Sequence, residues 1–391
     1  MKNWKKTSLL TTIIIIALLL GAIYTFNLNI TKTSSDIDFS PGNDVYDFES
    51  KIFDNKPKNI IVFIVDGMGF GHLSLALQTL QSEKTPSVWN EFDVKGWHDA
   101  RSIYGPLTDS EASATAMTTG TSTNFGYIGI DRNGKSLNNI FEIASDQNYS
   151  TGVVTDSYIW DATPAAFIAH TDNEDNAREI LKQIAASNLN LIFGELEDLG
   201  EGLVPEEDET FEILRKRFLL LDKSLELPDG LDASTPIAAI YDEDEVQDLN
   251  SSPNLVKLTD VALKHLTSLH KPFILLVESE EMDAASHKND SERVIEGLKS
   301  IQQTLSLVLN FSKMQRETLV LFTSDHETGG LAAASDFGNY PKLQIRWSTK
   351  EHTAEVVPLF AQGPGAEYFA NIHRNWEIGF ILKKLISKEV H

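Results

Sequence analysis

Residues 59–69 read Asn-Ile-Ile-Val-Phe-Ile-Val-Asp-Gly-Met-Gly, and this stretch decides the fold class. From Ile60 to Val65 every side chain is apolar and most are β-branched or aromatic. A strand with one wet face alternates, whereas an unbroken apolar run is buried on both faces, the situation inside a parallel sheet. The run ends abruptly at Asp66 followed by Gly67. Comparable runs lie at residues 152–155, 189–193, 237–241, 272–277 and 318–323. Helical spacing of apolar residues marks 109–119, 137–147, 163–170, 175–186, 255–269 and 291–311 between them. The alternation predicts an α/β fold, a three-layer sandwich with a mostly parallel central sheet flanked by helices.

Upstream of this pattern the chain changes character. A basic start (Lys2, Lys5, Lys6) precedes an apolar run from Leu9 to Phe26. That order is an export signal, and the run is about 27 Å long as a helix, close to a hydrocarbon core. Residues 1–26 are therefore expected to be a signal peptide or an uncleaved signal anchor. Residues 27–55 would be a polar tether, and residues 56–391 an exported, extracytoplasmic catalytic domain. The positive-inside rule puts the three lysines in the cytoplasm and everything after residue 27 outside. Within the domain, residues 195–252 are acidic and less regular, and are expected to form a solvated excursion.

The chain has 391 residues and a formal net charge of −24, with 57 acidic against 33 basic residues. Such a field repels nucleic acid backbones, so no nucleic acid binding is expected. The absence of cysteine excludes disulfides, thiolate metal sites and cysteine nucleophiles. Any metal must be held by histidine and carboxylate.

Those groups gather at the ends of strands. The apolar runs end in Asp66, in Glu278 and in Asp325-His326. In a parallel α/β sheet ligands collect beyond the carboxyl ends of the strands, so three strands deliver acids and a histidine to one edge. Asp283 and His287, four apart just after Glu278, share one face of a helical turn. His352 is a further histidine near a strand pattern. Mixed His and carboxylate material suits zinc, and oxygen-only sets suit magnesium. A nucleophile is offered by Thr108-Asp-Ser-Glu-Ala-Ser-Ala. Thr108 and Glu111 have capping-box spacing, which would set Ser110 in the first turn of a helix, where free N–H groups favour an anion.

Six segments in this order resemble the motif series of the alkaline phosphatases: Asp66-Gly-Met-Gly, Thr108-Asp-Ser-x-Ala-Ser-Ala-Thr-Ala, Asp161-Ala-Thr-Pro-Ala-Ala, Glu278 with Asp283-x-x-x-His287, Ser324-Asp-His and Glu351-His-Thr. The resemblance covers roughly residues 57–367. It implies hydrolysis of small-molecule phosphate monoesters through a phosphoserine on Ser110. It also implies two Zn2+ and one Mg2+. Asp283, His287 and His352 would hold one zinc; Asp325, His326 and Asp66 the other, beside Ser110. Asp66 would bridge to magnesium completed by Thr163 and Glu278, with Asp161 close by. A homodimer is an open possibility of the same resemblance.

Two positions depart from the family pattern. Where the family often carries an arginine that forks onto phosphate oxygens, this chain has Glu174, with Arg178 four residues later as a candidate substitute. Glu111 stands directly after the nucleophile, where the family usually has a small residue. Two alternatives therefore stand beside the monoesterase: a phosphodiesterase of the same superfamily, and a metal-binding surface protein whose catalysis has decayed.

Overall fold

A computed structural model describes residues 52–81, 87–196, 209–228, 230–232, 234–246, 250–335 and 342–387. The N-terminal segment 1–26 and the tether up to residue 51 lie outside the described residues. No helix among the described residues is long and apolar enough to cross a membrane.

The run that opened the sequence analysis is strand β1 (Asn59–Val65), buried along its whole length at the centre of the sheet. In chain order the strands are β2 (Val94–His98), β3 (Ser150–Tyr158), β4 (Leu191–Glu195), β5 (Leu219–Leu220), β6 (Ile237–Tyr241), β7 (Phe273–Ser279), β8 (Thr318–Thr323), β9 (Glu327–Thr328), β10 (Ala332–Ala334), β11 (Gln344–Arg346), β12 (His352–Thr353) and β13 (Val357–Gln362). Nine of them make one sheet in the order β2-β13-β8-β1-β7-β3-β4-β6-β5. Every pairing in it is parallel except the two made by β13, with β8 and with β2.

The helices are α1 (Phe70–Thr79), α2 (Ser110–Thr119), α3 (Ile140–Asp146), α4 (Ala162–Ala166), α5 (Ala177–Ala186), α6 (Glu209–Arg217), α7 (Leu255–Ser268), α8 (Glu281–His287), α9 (Ser291–Met314) and α10 (Asn375–Ile386). They divide between the two faces because side chains alternate along a strand. Ile60, Val62 and Ile64 pack with Met117 of α2, Ile180 of α5 and Ile381 of α10. Ile61, Phe63 and Val65 pack with Leu73 of α1, Leu258 of α7 and Leu305 of α9. Those two clusters are the cores between the sheet and the two helical layers of the expected sandwich.

Helix α2 is short and, apart from Glu111 and Met117, built from Ser, Ala and Thr, so it has little apolar bulk to hold it. Its stability comes from close approach to α10. A Cβ on Gly379 would lie 2.4 Å from the Gly120 nitrogen and 2.8 Å from the Ala116 carbonyl. Only glycine lets the helices meet at that distance. At the same contact Asn375 donates to Ser113 Oγ (3.2 Å), and Ser113 Oγ donates to the Asp325 carbonyl (2.7 Å). The nucleophile's helix is thus tied both to the last helix and to the end of β8.

Most described acids of the acidic region, among them Glu212, Asp222, Glu226, Asp232, Asp242 and Glu243, are exposed as expected, but Glu195 departs from that expectation. The region's described residues supply α6, β5 and β6, and β6 and β5 complete the sheet. Glu195 is fully buried, not solvated, and accepts from the N–H groups of Asp244 (2.9 Å) and Val246 (2.6 Å). Burial pushes its carboxyl up to about 8, even though those two donors oppose the shift. Here an acidic side chain caps a loop against the sheet, which composition alone does not reveal. The helix expected over 163–170 stops at Ala166, because Thr171 turns away to bridge Ile128.

Two of the buried histidines, His72 and His98, give the domain an acid-sensitive core. His98, at the end of β2, reaches Thr323 Oγ1 (2.8 Å) and the Ser324 carbonyl (3.1 Å) through Nε2, and its buried Nδ1 has no hydrogen-bond partner. Burial holds both His98 and His72 down at about 4. The unfolded chain takes up these protons near 6.5, the folded one only near 4. Stability is therefore complete above 6.5 and lost as pH falls towards 4, roughly 2 kcal/mol per histidine at pH 5. In urea unfolding at pH 7 and pH 5, His98→Gln is expected to lack about 2 kcal/mol of the wild-type fall. An equal fall in both proteins would rule this out.

Candidate active site

The strand ends meet as the alternation predicted. Asp66 follows β1, and its N–H donates to the Ser279 carbonyl of β7 (2.9 Å). Glu278 lies within β7, opposite Ile64. Beyond β8, Ser324 Oγ accepts from the Met68 N–H (2.9 Å), and Asp325 Oδ1 accepts from the N–H groups of Gly67 (3.2 Å) and His326 (2.9 Å). The turns after β1 and β8 are thereby stitched together. Gly67 has φ +73°, and a Cβ there would lie 2.8 Å from the Asp283 Cα. Glycine permits both the turn and the close passage of α8.

Helix α8 puts Asp283 and His287 on one face, with Asp283 Oδ2 and His287 Nε2 3.2 Å apart. His352 arrives from β12, which pairs antiparallel with β9, His352 opposite Thr328. The ring of His352 stacks on that of His326 at 3.6 Å between centroids. His287 Nδ1 donates to the Lys350 carbonyl (2.5 Å) and His352 Nδ1 to the Thr108 carbonyl (3.0 Å). Each ring turns its Nε2 inward; that of His287 lies against Asp283 Oδ2, and the two Nε2 atoms face each other at 3.3 Å. Backbone carbonyls fixing the outer nitrogen are the usual way a ligand histidine is oriented.

Around His326 the arrangement repeats. Its Nε2 lies 3.0 Å from Ser110 Oγ, 3.2 Å from Asp325 Oδ2 and 3.4 Å from Asp66 Oδ1. One proton on that nitrogen cannot serve three oxygens. Asp66 Oδ1 and Asp325 Oδ2 are buried without a hydrogen bond, as are Thr163 Oγ1 and both oxygens of Glu278. Burial pushes Asp66 well above the ordinary carboxylate range, and the charges of Asp325, Asp283, Glu278 and Glu280 push it further. Glu278 is raised in the same way by burial and by Asp161. Buried carboxylates crowded together without donors are costly unless cations sit among them.

The donor sets fit such cations. Asp283, His287 and His352 each turn one ligand atom into a common space, and so do Asp66, Asp325 and His326. The orphaned Glu278 and Thr163 oxygens, beside Asp66, make an oxygen-only set. Asp161 caps α4, accepting from the Ala162 N–H (2.7 Å) and from Ser157 Oγ (2.5 Å), and lines the same buried region.

Ser110 is the first residue of α2, as expected, but the cap is Asp109 and not Thr108. Asp109 Oδ1 accepts from the Ala112 N–H (2.9 Å), and Oδ2 from the Gly126 N–H (2.6 Å). Glu111 is therefore no capping-box partner. It is 9% exposed and turns towards Glu174. Burial, then contact with Glu174 and the charge of Asp109, push it up to about 10. From this segment Glu174 brings a carboxylate oxygen close to those of Asp109 and Glu111, and Arg178 is half-buried in the first turn of α5.

Three participants escaped the sequence reading. Glu280 adds a carboxylate raised by burial and by Asp161, Asp283 and Asp156. Asp156 accepts from Ser279 Oγ (2.8 Å) and the Glu280 N–H (2.7 Å), tying β3 to β7. Thr328 donates to Asp283. The only sequence signal for Glu280 is the density of acids after Glu278; Asp156 and Thr328 carry none.

A family model described as alkaline phosphatase matches residues 57–201 and 230–342. The chain is similar to Alkaline phosphatase 4 of Bacillus subtilis, 25% identical over 84% of this chain and 89% of that protein. It is 27% identical to Alkaline phosphatase 3 of the same organism over 71% of this chain, and spans 63% of that relative, less than two thirds of its length. The solved alkaline phosphatase of the Antarctic bacterium TAB5 matches with a TM-score of 0.75 at 28% identity, over 85% of this chain and 98% of that one. A mutant of it solved with Mg bound matches with a TM-score of 0.74.

Proposed function

Since this chain belongs to the alkaline phosphatase family and is a phosphomonoester hydrolase, we propose that it works through a phosphoserine on Ser110 at a site holding two Zn2+ and one Mg2+. The observation that carries the reading is the placement of Ser110 Oγ 3.0 Å from His326 Nε2, beside two carboxylate oxygens with no hydrogen bond. Asp325, His326 and Asp66 are the set for the zinc at the nucleophile, and Asp283, His287 and His352 for the other. Asp66, Glu278 and Thr163 are the set for magnesium, with Asp161 nearby. Bound there, the ions supply charge neutralisation and Lewis acidity to a phosphoryl transfer that otherwise needs mainly positioning.

The chain's own groups do the rest. Helix α2 fixes Ser110 through the Asp109 cap behind it and through Ser113, which donates to the Asp325 carbonyl. Ser110 Oγ attacks phosphorus, the bond from phosphorus to the ester oxygen breaks, and the seryl proton ends on that oxygen, which leaves as the alcohol. Water then attacks the phosphoseryl group, returning Ser110 and inorganic phosphate. Thr108 holds the His352 ring through its carbonyl, so the nucleophile's own loop orients a residue of the opposite set. Residues 1–26, with Lys2, Lys5 and Lys6 before the apolar run, support export and anchoring by this segment.

The test is hydrolysis of p-nitrophenyl phosphate by the full-length protein with Zn2+ and Mg2+. Bis(p-nitrophenyl) phosphate is run beside it. Turnover of the monoester well above that of the diester is expected. A preference for the diester, or no turnover of either by folded, metal-loaded protein, would overturn the reading.

A further inference from the structure

Among the described residues ten large hydrophobic side chains are exposed, and four of them, Ile103, Tyr104, Leu107 and Phe125, stand on two loops tied to the turn that carries Ser110. Such residues scattered singly need no explanation, but a group of them beside one site does. We infer that the two loops form an apolar rim for the alcohol half of the substrate, and that the preferred monoesters are those of aryl and long-chain alkyl alcohols.

The first loop is fixed at both ends. At its start Asn375 donates to the Ala100 carbonyl (3.0 Å) and the Arg374 guanidinium to the Arg101 carbonyl (2.9 Å). The Ser102 N–H donates to the Leu107 carbonyl (3.0 Å), which closes residues 102–107 into a turn. The next carbonyl, that of Thr108, accepts from His352 Nδ1, so the loop ends against one of the histidine and carboxylate sets. The second loop arrives through Gly126, whose N–H donates to Asp109 Oδ2 (2.6 Å). Leu107 is thus two positions from Asp109, and Phe125 is one position from the group bound to its carboxylate. Tyr104 is 71% exposed and Phe125 51%.

The geometry of the transfer sends the alcohol this way. Beneath Ser110 Oγ lie His326 and Asp325, both buried. In-line displacement puts the ester oxygen on the far side of phosphorus from the attacking oxygen. The alcohol therefore points away from that buried floor, outwards past the loops. Glu174 sets a carboxylate oxygen within 4.8 Å of those of Asp109 and Glu111 on the same flank. Negative charge there disfavours alcohols that carry a carboxylate or a second phosphate. An uncharged apolar alcohol meets no such repulsion and buries surface on the rim.

This inference rests on the phosphatase reading, and two series of compounds separate them. Full-length protein with Zn2+ and Mg2+ is given ethyl and hexyl phosphate, whose leaving alcohols are about equally reactive. Calorimetry follows the binding of ethylphosphonate and hexylphosphonate, which are not hydrolysed. The hexyl ester is expected to have a kcat/KM about tenfold higher, and hexylphosphonate to bind about tenfold more tightly. In the double variant Tyr104→Ser, Phe125→Ser both ratios should fall towards one. Met314→Ser, which removes a comparably exposed side chain at the end of α9, should keep them. Equal values for the two chain lengths in the wild type, ratios that survive the double variant, or ratios lost in Met314→Ser as well would each overturn the rim. Ratios that persist while sedimentation shows the double variant in a smaller assembly would assign the loops to a contact between copies, and the inference would fall. Tighter binding of hexylphosphonate that depends on Tyr104 and Phe125, in a protein that turns over neither ester, would sustain the rim and sink the proposed function.

Discussion

Ser110→Ala is expected to lower kcat for p-nitrophenyl phosphate by roughly 10^4-fold or more, the scale on which removing a covalent nucleophile acts. Its zinc and magnesium content should match the wild type, since the residues that would bind metal come from other segments of the chain. The fold should hold as well: alanine is a good helix former, and the Asp109 cap and the Ser113 contact with Asp325 are untouched. Rapid quenching of wild-type turnover should trap one phosphate on Ser110, identified by peptide mapping, and none in the variant. Full activity in the alanine variant, or label on another residue, would refute the covalent route.

Chelation is expected to produce the second large effect, in stability as much as in rate. Asp66, Glu278 and Glu280 all have carboxyls raised by burial first and by neighbouring acids next, Asp325 for Asp66 and Asp161 for the two glutamates. A carboxyl whose folded pKa lies above its unfolded value near 4 contributes stability that is fully present below that value. The contribution is lost as pH rises through the folded pKa, because the native state must give up a proton it holds more tightly. Metal-free protein should therefore melt at progressively lower temperature from pH 5 to pH 9. Each ion at about 1,000 times its Kd restores about 4 kcal/mol. With EDTA the protein should lose all turnover, and its Tm should fall more at pH 9 than at pH 6. A Tm indifferent to EDTA at both pH values would show that the buried carboxylates are not held by ions.

The sequence carried the sheet well because β1, β6 and β8 are short, apolar and bounded by turns, so pattern and boundary coincide. It carried the site through the strand ends, where an acid after an apolar run has little reason to exist except at a functional edge. The failures have physical causes. Thr108 and Asp109 both qualify as helix caps by composition, and only the Gly126 N–H, seventeen positions on, decides for Asp109. Glu195 looks like one more surface acid until the loop at 244–246 folds over it. The packing of Gly379 on Gly120 and Ala116 carries no periodic signal, since it depends on the absence of a side chain.

The place of β1 in the sheet has a kinetic consequence. It is among the first strands in the chain, yet both of its neighbours, β7 and β8, are made more than 200 positions later. Asp66 therefore stays without its partners until the chain beyond Asp325 and His352 has been synthesised and has closed on it. Such long-range pairing makes folding slow and leaves an unpaired apolar strand open to association with other chains. Refolding from denaturant should then be limited by closure of the sheet and by aggregation through residues 59–65. Added divalent ions should act late, raising the yield of native protein more than the rate at which it first collapses.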